Sequence, residues 1–129
     1  MNSTKPEYGD MTPFTASIKA LSDRAALLEL AGEVDLVTAP LLEAQFQSLV
    51  ERGLTEVVVD ATSVTFMDSS GLRALLEGEK ILHTKGSGVY LVPSRPVRRL
   101  LELISAEPLL TAQFGTVEEA VAAVERGHE

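Results

Sequence analysis

Two short apolar runs, EVVVDA at residues 56–61 and GVYLVP at residues 88–93, most constrain what this chain can fold into. Both are rich in β-branched residues and neither alternates polar with apolar, which is the pattern of a strand buried on both faces. Each precedes a segment with helical period. Leu72, Leu75, Leu76 and Leu82 share one arc after the first run; Val97, Leu100, Leu101 and Ile104 share one after the second. Buried strands alternating with amphipathic helices build a parallel or mixed sheet with right-handed crossovers.

The remaining segments extend this plan. FTASIKAL (14–21) and AALLELAG (25–32), joined by Ser22, Asp23 and Arg24, read as a strand hairpin. Thr38 is placed to cap a first helix, with Pro40 in its first turn and Leu42, Phe46, Leu49 and Val50 on its inner face. Arg52 supplies a basic last turn and Gly53 a stop. The second helix is expected from about Ser70 to Lys85, with Gly86 as its terminator. Glu79 interrupts its apolar arc, so part of that face is expected to reach solvent or a partner. Ser94 caps a third helix, with Pro96 in its first turn, and PLLTAQF (108–114) reads as a short strand. Thr116 and Glu119 stand at capping-box spacing before a last helix whose inner face is Val117, Ala120, Val121 and Val124. The predicted order is β-β-α-β-α-β-α-β-α. The fold class is α/β: a mixed, mostly parallel sheet of about five strands packed with about four helices. Residues 13–127 form one domain, and the polar start, residues 1–12, reads as a flexible arm.

Composition narrows the function. No cysteine is present among the 129 residues, so disulfides, thiol catalysis and Cys-based zinc sites are excluded. No apolar run approaches the ~18 residues of a membrane span, and the start lacks the apolar core of a secretory signal. These features fit a cytoplasmic protein. The net charge of −8, from 19 acidic and 11 basic side chains, repels nucleic acid phosphates and anionic membrane surfaces. Against that balance, Arg95, Arg98 and Arg99 cluster together, either as a solvated helix face or as the rim of a contact with an acidic partner.

The stretch VTFMDSSGLRALL (64–76) sets Asp68, Ser69, Ser70 and Gly71 between an apolar strand and an apolar helix. Such a junction can be a helix cap, a nucleophilic serine or a serine offered to another protein's kinase. A nucleophile needs a base within hydrogen-bond reach. His83 lies about 20 Å along the same helix at 1.5 Å per residue, and His128 is at the terminus. No G-x-S-x-G elbow and no phosphate-binding P-loop is present, and a loop carrying Asp35 could approach Asp68, but two carboxylates with no metal cluster or pocket signal do not make a catalytic site. No catalytic residue, cofactor or metal is therefore expected. Cap and phosphoacceptor remain.

GEVD (32–35), VVVDATSVTFMDSSGLRALL (57–76) and SRPVRRLLEL (94–103) occur in the order and spacing of STAS-domain anti-sigma factor antagonists, and the chain resembles that family over about residues 14–126. The resemblance implies the STAS fold and a partner switch. The antagonist binds an anti-sigma factor that is also a GHKL-type ATPase and serine kinase, which frees the sigma factor; phosphorylation of the first serine of D-S-S-G ends the complex, and a phosphatase restores it. Carried onto this chain, the phosphoacceptor is Ser69, and Asp35, Asp68, Ser69, Ser70 and Gly71 belong to the partner-binding surface. STAS modules used as stressosome-type scaffolds, or as small subunits of lipid-transport complexes, share the fold and form the alternative. Oligomeric state, a homodimer included, stays open at this level.

Overall fold

The computed structural model describes residues 13–104 and 112–127. The N-terminal arm and the first four residues of the 108–114 run lie outside the described residues. Among the described residues nine elements follow in the expected order: β1 (Thr15–Ala20), β2 (Ala25–Val34), α1 (Ala39–Glu51), β3 (Glu56–Met67), α2 (Ser69–Thr84), β4 (Gly88–Pro93), α3 (Arg95–Leu103), β5 (Ala112–Gln113) and α4 (Val117–Arg126). The strands form one sheet in sequential order; β1 pairs antiparallel with β2, and every later pairing is parallel.

The two apolar runs sit at the centre of that sheet. Val57, Val59, Val89 and Leu91 face a cluster filled by Leu42, Phe46 and Leu49 of α1, Leu72, Leu75 and Leu82 of α2, and Val97 and Leu101 of α3. Val58 and Val92 point the other way, where Ala120 and Val124 of α4 cover them. Successive strand residues thus enter different clusters, which is why the runs carry no polar alternation. Leu100 and Val121, expected in the core, are half-buried, and Ile104 is exposed because α3 ends before its face closes.

Helix ends follow the sequence signals with two corrections. Gly53 (φ 74°) and Gly86 (φ 81°) terminate α1 and α2 in the left-handed region. Leu54 N donates to Leu49 O and Ser87 N to Leu82 O, the six-residue closure of a Schellman motif. Ser94 and Thr116 cap α3 and α4 through Val97 N and Glu119 N. The first correction is at Thr38: it occupies the N-cap of α1, but its side chain makes no capping bond, and Arg52 stands beyond the last turn as the C-cap residue. The second is at Glu79. It is buried, and its carboxylate accepts the Val89 N–H at 2.7 Å. The break in the apolar arc is an internal tie between α2 and the start of β4, because a buried N–H needs an acceptor and the Glu79 side chain supplies it.

β3 runs to Met67, well past the apolar run. Its pairing with β2 slips twice, between Glu29 and Ala31 and again between Gly32 and Glu33, each time with one extra residue on β3. These bulges break the two-residue period, so Val64 and Met67 both turn inward although three residues apart. β4 stops at Pro93, opposite Ala61. Beyond that point β3 pairs only with β2 among the described residues, and α3 packs against β3.

Candidate functional site

The site is assembled at the carboxyl ends of β2 and β3, where the registered pair Val34 and Met67 leads into two loops. Asp68 caps α2: its Oδ1 accepts Ser70 N at 2.9 Å and Gly71 N at 3.1 Å. Its own N–H donates to Val34 O at 3.2 Å, which ties the start of α2 to the end of β2. Gly71 is buried at this crossing. A Cβ there would lie 2.6 Å from Val34 O and 2.9 Å from Met67 Cγ, so only glycine lets the helix approach this closely.

Ser69 follows as the first residue of α2. It is exposed, and its hydroxyl forms no hydrogen bond among the described residues. Ser70 is half-buried and engages the backbone only through its N–H. Capping and presentation are therefore divided: Asp68 satisfies the helix end, which leaves the Ser69 hydroxyl to solvent.

Asp35 lies in the loop that follows Val34. Its carboxylate accepts Val37 N and Thr38 N, each at 3.0 Å, and the Thr38 hydroxyl also lies 3.2 Å away. The Thr38 hydroxyl reaches backwards, donating to Glu33 O and accepting Asp35 N, both at 2.9 Å. This explains why Thr38 does not cap α1. The Thr38 backbone N–H, ahead of the other bonds, holds the Asp35 carboxyl below its ordinary value. A carboxyl lowered by folding stabilises the native loop above its unfolded value, and that contribution is lost as pH falls through the folded value. Thermal melts of wild type and Asp35→Ala should therefore differ at neutral pH and converge only once the pH has fallen below the ordinary carboxylate range, where the wild-type carboxylate protonates.

The structure brings Asp35, Asp68, Ser69, Ser70 and Gly71 to one end of the sheet, with Asp35 turned into its own loop and Gly71 covered. It adds residues that sequence reasoning passed over. Leu36 and Val37, in the same loop, are 75% and 80% exposed, and Leu41 on the first turn of α1 is half-exposed. Phe66, two residues before Asp68, was not passed over: the sequence leaves it open between strand-end packing and a partly exposed contact, and it is 46% exposed. Large apolar side chains exposed on the loop after β2 and at the end of β3 suit a protein-contact surface. The available signal was Leu36-Val37 itself, an apolar pair inside a turn with neither strand nor helix period. Among the described residues no group of three or more His, Asp or Glu side chains could hold a metal, and no helix is long and apolar enough to cross a membrane.

A mixed sheet that presents a free serine at a helix start, with exposed apolar side chains on the adjoining loop and strand end, fits a small protein-binding module. The family model described as "Mlab, STAS domain" matches residues 18–111. The anti-sigma-F factor antagonist RsfB of Mycobacterium tuberculosis is 33% identical over 103 residues, covering 79% of this chain and 83% of the relative. An anti-sigma-B factor antagonist of Staphylococcus aureus is 28% identical over 98 residues, covering 75% of this chain and 91% of the relative. The crystal structure of an anti-sigma factor antagonist from Mycobacterium paratuberculosis superposes with a TM-score of 0.77 at 28% identity, covering 88% of this chain and 95% of that one. The chain belongs to the STAS-domain family of anti-sigma factor antagonists.

Proposed function

We propose that this protein is a non-enzymatic, cytoplasmic antagonist that binds an anti-sigma factor serine kinase of the GHKL ATPase type, releases the sigma factor, and is switched off by phosphorylation of Ser69. The observation that carries this reading is the free Ser69 hydroxyl on the capped end of α2, beside the exposed Leu36, Val37 and Phe66. A kinase needs an accessible hydroxyl, and a partner needs a surface to grip; both occur at one end of the sheet. Asp68 already occupies the Ser70 and Gly71 N–H groups, so a phosphate on Ser69 stands in solvent without displacing the cap. A phosphatase then returns the protein to its binding form.

The relatives named as anti-sigma factor antagonists support this reading over the scaffold and lipid-transport alternatives. It is tested by incubating the protein with its host's serine-kinase anti-sigma factor and ATP, followed by phosphopeptide mapping. One phosphate on Ser69 is expected. A main site at Ser70 or at the exposed Thr65 would overturn the assignment.

A further inference from the structure

We propose that the groove between the outer edge of β3 and α3 is a second docking surface, which receives an acidic segment of the anti-sigma factor carrying apolar side chains and holds that partner alongside Ser69. The proposal rests on the functional reading above and adds to it the chemistry of the partner and a surface that does not change on phosphorylation.

The groove exists because β4 ends opposite Ala61 while β3 continues to Met67. Its volume is about 390 Å³; Phe66, Pro96, Leu100 and Leu103 supply its apolar lining, and Arg95 and Arg99 stand on the α3 side. Arg95, Arg99 and Leu103 are spaced four apart, so they form one stripe along the helix. Leu103 is 79% exposed.

Charge selects the occupant. In a chain of net charge −8, Arg95, Arg98 and Arg99 are exposed and form no ion pair among the described residues. An acidic segment is attracted here and repelled over most of the remaining surface, which fixes its position as well as favouring its approach. An extended polyanion would meet that same repulsion and would leave the apolar lining in water. A peptide with acidic and apolar side chains satisfies both parts of the groove. Phe66, Arg95 and Arg99 line the same groove, and aromatic and Arg side chains are enriched at protein interfaces.

Position links the groove to the switch. Phe66 and Met67 line it and run directly into Asp68 and Ser69. One partner therefore covers both. The groove contributes affinity and partner choice, and Ser69 contributes the sensitivity to phosphorylation.

The test is a titration of wild type, the double variant Arg95→Glu/Arg99→Glu, and Leu103→Ser against the host's ADP-bound serine-kinase anti-sigma factor, at low and high NaCl. The charge reversal should weaken binding about tenfold or more at low salt, with the gap closing as salt rises. Leu103→Ser should weaken it about tenfold at either salt. Melting curves should stay at the wild-type midpoint, since all three side chains are exposed. Wild-type affinity in both variants would overturn the groove and leave the functional reading intact, whereas a wild-type protein that does not bind the kinase would overturn the functional reading itself. A dimer of the free protein that the charge reversal dissolves would assign the groove to a second copy and also overturn the proposal.

Discussion

Phosphorylated on Ser69, the protein is expected to bind its anti-sigma factor about a thousandfold more weakly, which corresponds to a penalty of about 4 kcal/mol. The phosphate adds about −1.5 to −2 charge beside the Asp68 carboxylate. Two of the helix-end N–H groups that would otherwise receive it already bond to Asp68. The partner must then desolvate two neighbouring anions, and a buried charge without a partner is costly. Ser69→Ala removes a hydroxyl with no bond to lose and should bind like wild type, acting as a constitutive antagonist. Ser69→Asp carries half the phosphate charge and should fall between them, weaker than wild type by about ten- to thirtyfold. Melting curves of the free variants should agree within about 0.5 kcal/mol, as is usual for surface changes. Calorimetric titration of the four forms provides the measurement. Equal affinity of wild type, Ser69→Asp and phosphorylated protein would exclude release by charge at this position.

Gly71→Ala is expected to destabilise the fold by about 2 kcal/mol, against the direction that helix propensity favours. In an open helix interior, alanine in place of glycine gains about 1 kcal/mol. Here the new Cβ meets Val34 O at 2.6 Å and Val34 Cγ1 at 2.8 Å, both part of a packed strand end that cannot swing aside. Overpacking of this kind costs about 1–3 kcal/mol, occasionally more, and it wins over the propensity term because the nearest atom is backbone. Thermal melts should show a midpoint lowered by on the order of 10 °C for a domain of this size. The displaced helix start also pulls on the Asp68–Val34 bond, so affinity for the anti-sigma factor should fall as well. A higher melting temperature would show that α2 shifts freely and that the close approach does not hold the two loops together.

Local chemistry made much of the architecture readable. EVVVDA and GVYLVP announce central strands because both of their faces are apolar. Ser94 and Thr116 announce helix starts because a hydroxyl at that position meets an orphan N–H three residues on. Gly53 and Gly86 announce helix ends because the chain there needs a positive φ. D-S-S-G could be located at a strand–helix junction by the same logic, before any geometry was known.

Other features depended on what lies across space. Glu79 reads as a surface residue by its charge, yet it is buried, because the acceptor for the Val89 N–H has to come from a neighbouring helix. Thr38 reads as a cap, yet Glu33 O and Asp35 N claim its hydroxyl first. Phe66 reads equally as core or contact, since two bulges in β3, set by its pairing with β2, decide which way it points. Leu36 and Val37 carry no periodicity that would reveal their exposure.

By itself, then, the sequence determined the order of elements, their caps and the identity of the serine-bearing junction, because period and capping are properties of neighbours along the chain. Only the tertiary structure decided that the Ser69 hydroxyl stands free, that Asp35 folds into its own loop, and that a groove opens beside the site. Those outcomes depend on strand register and on where β4 stops, which arise from pairing between residues distant in sequence.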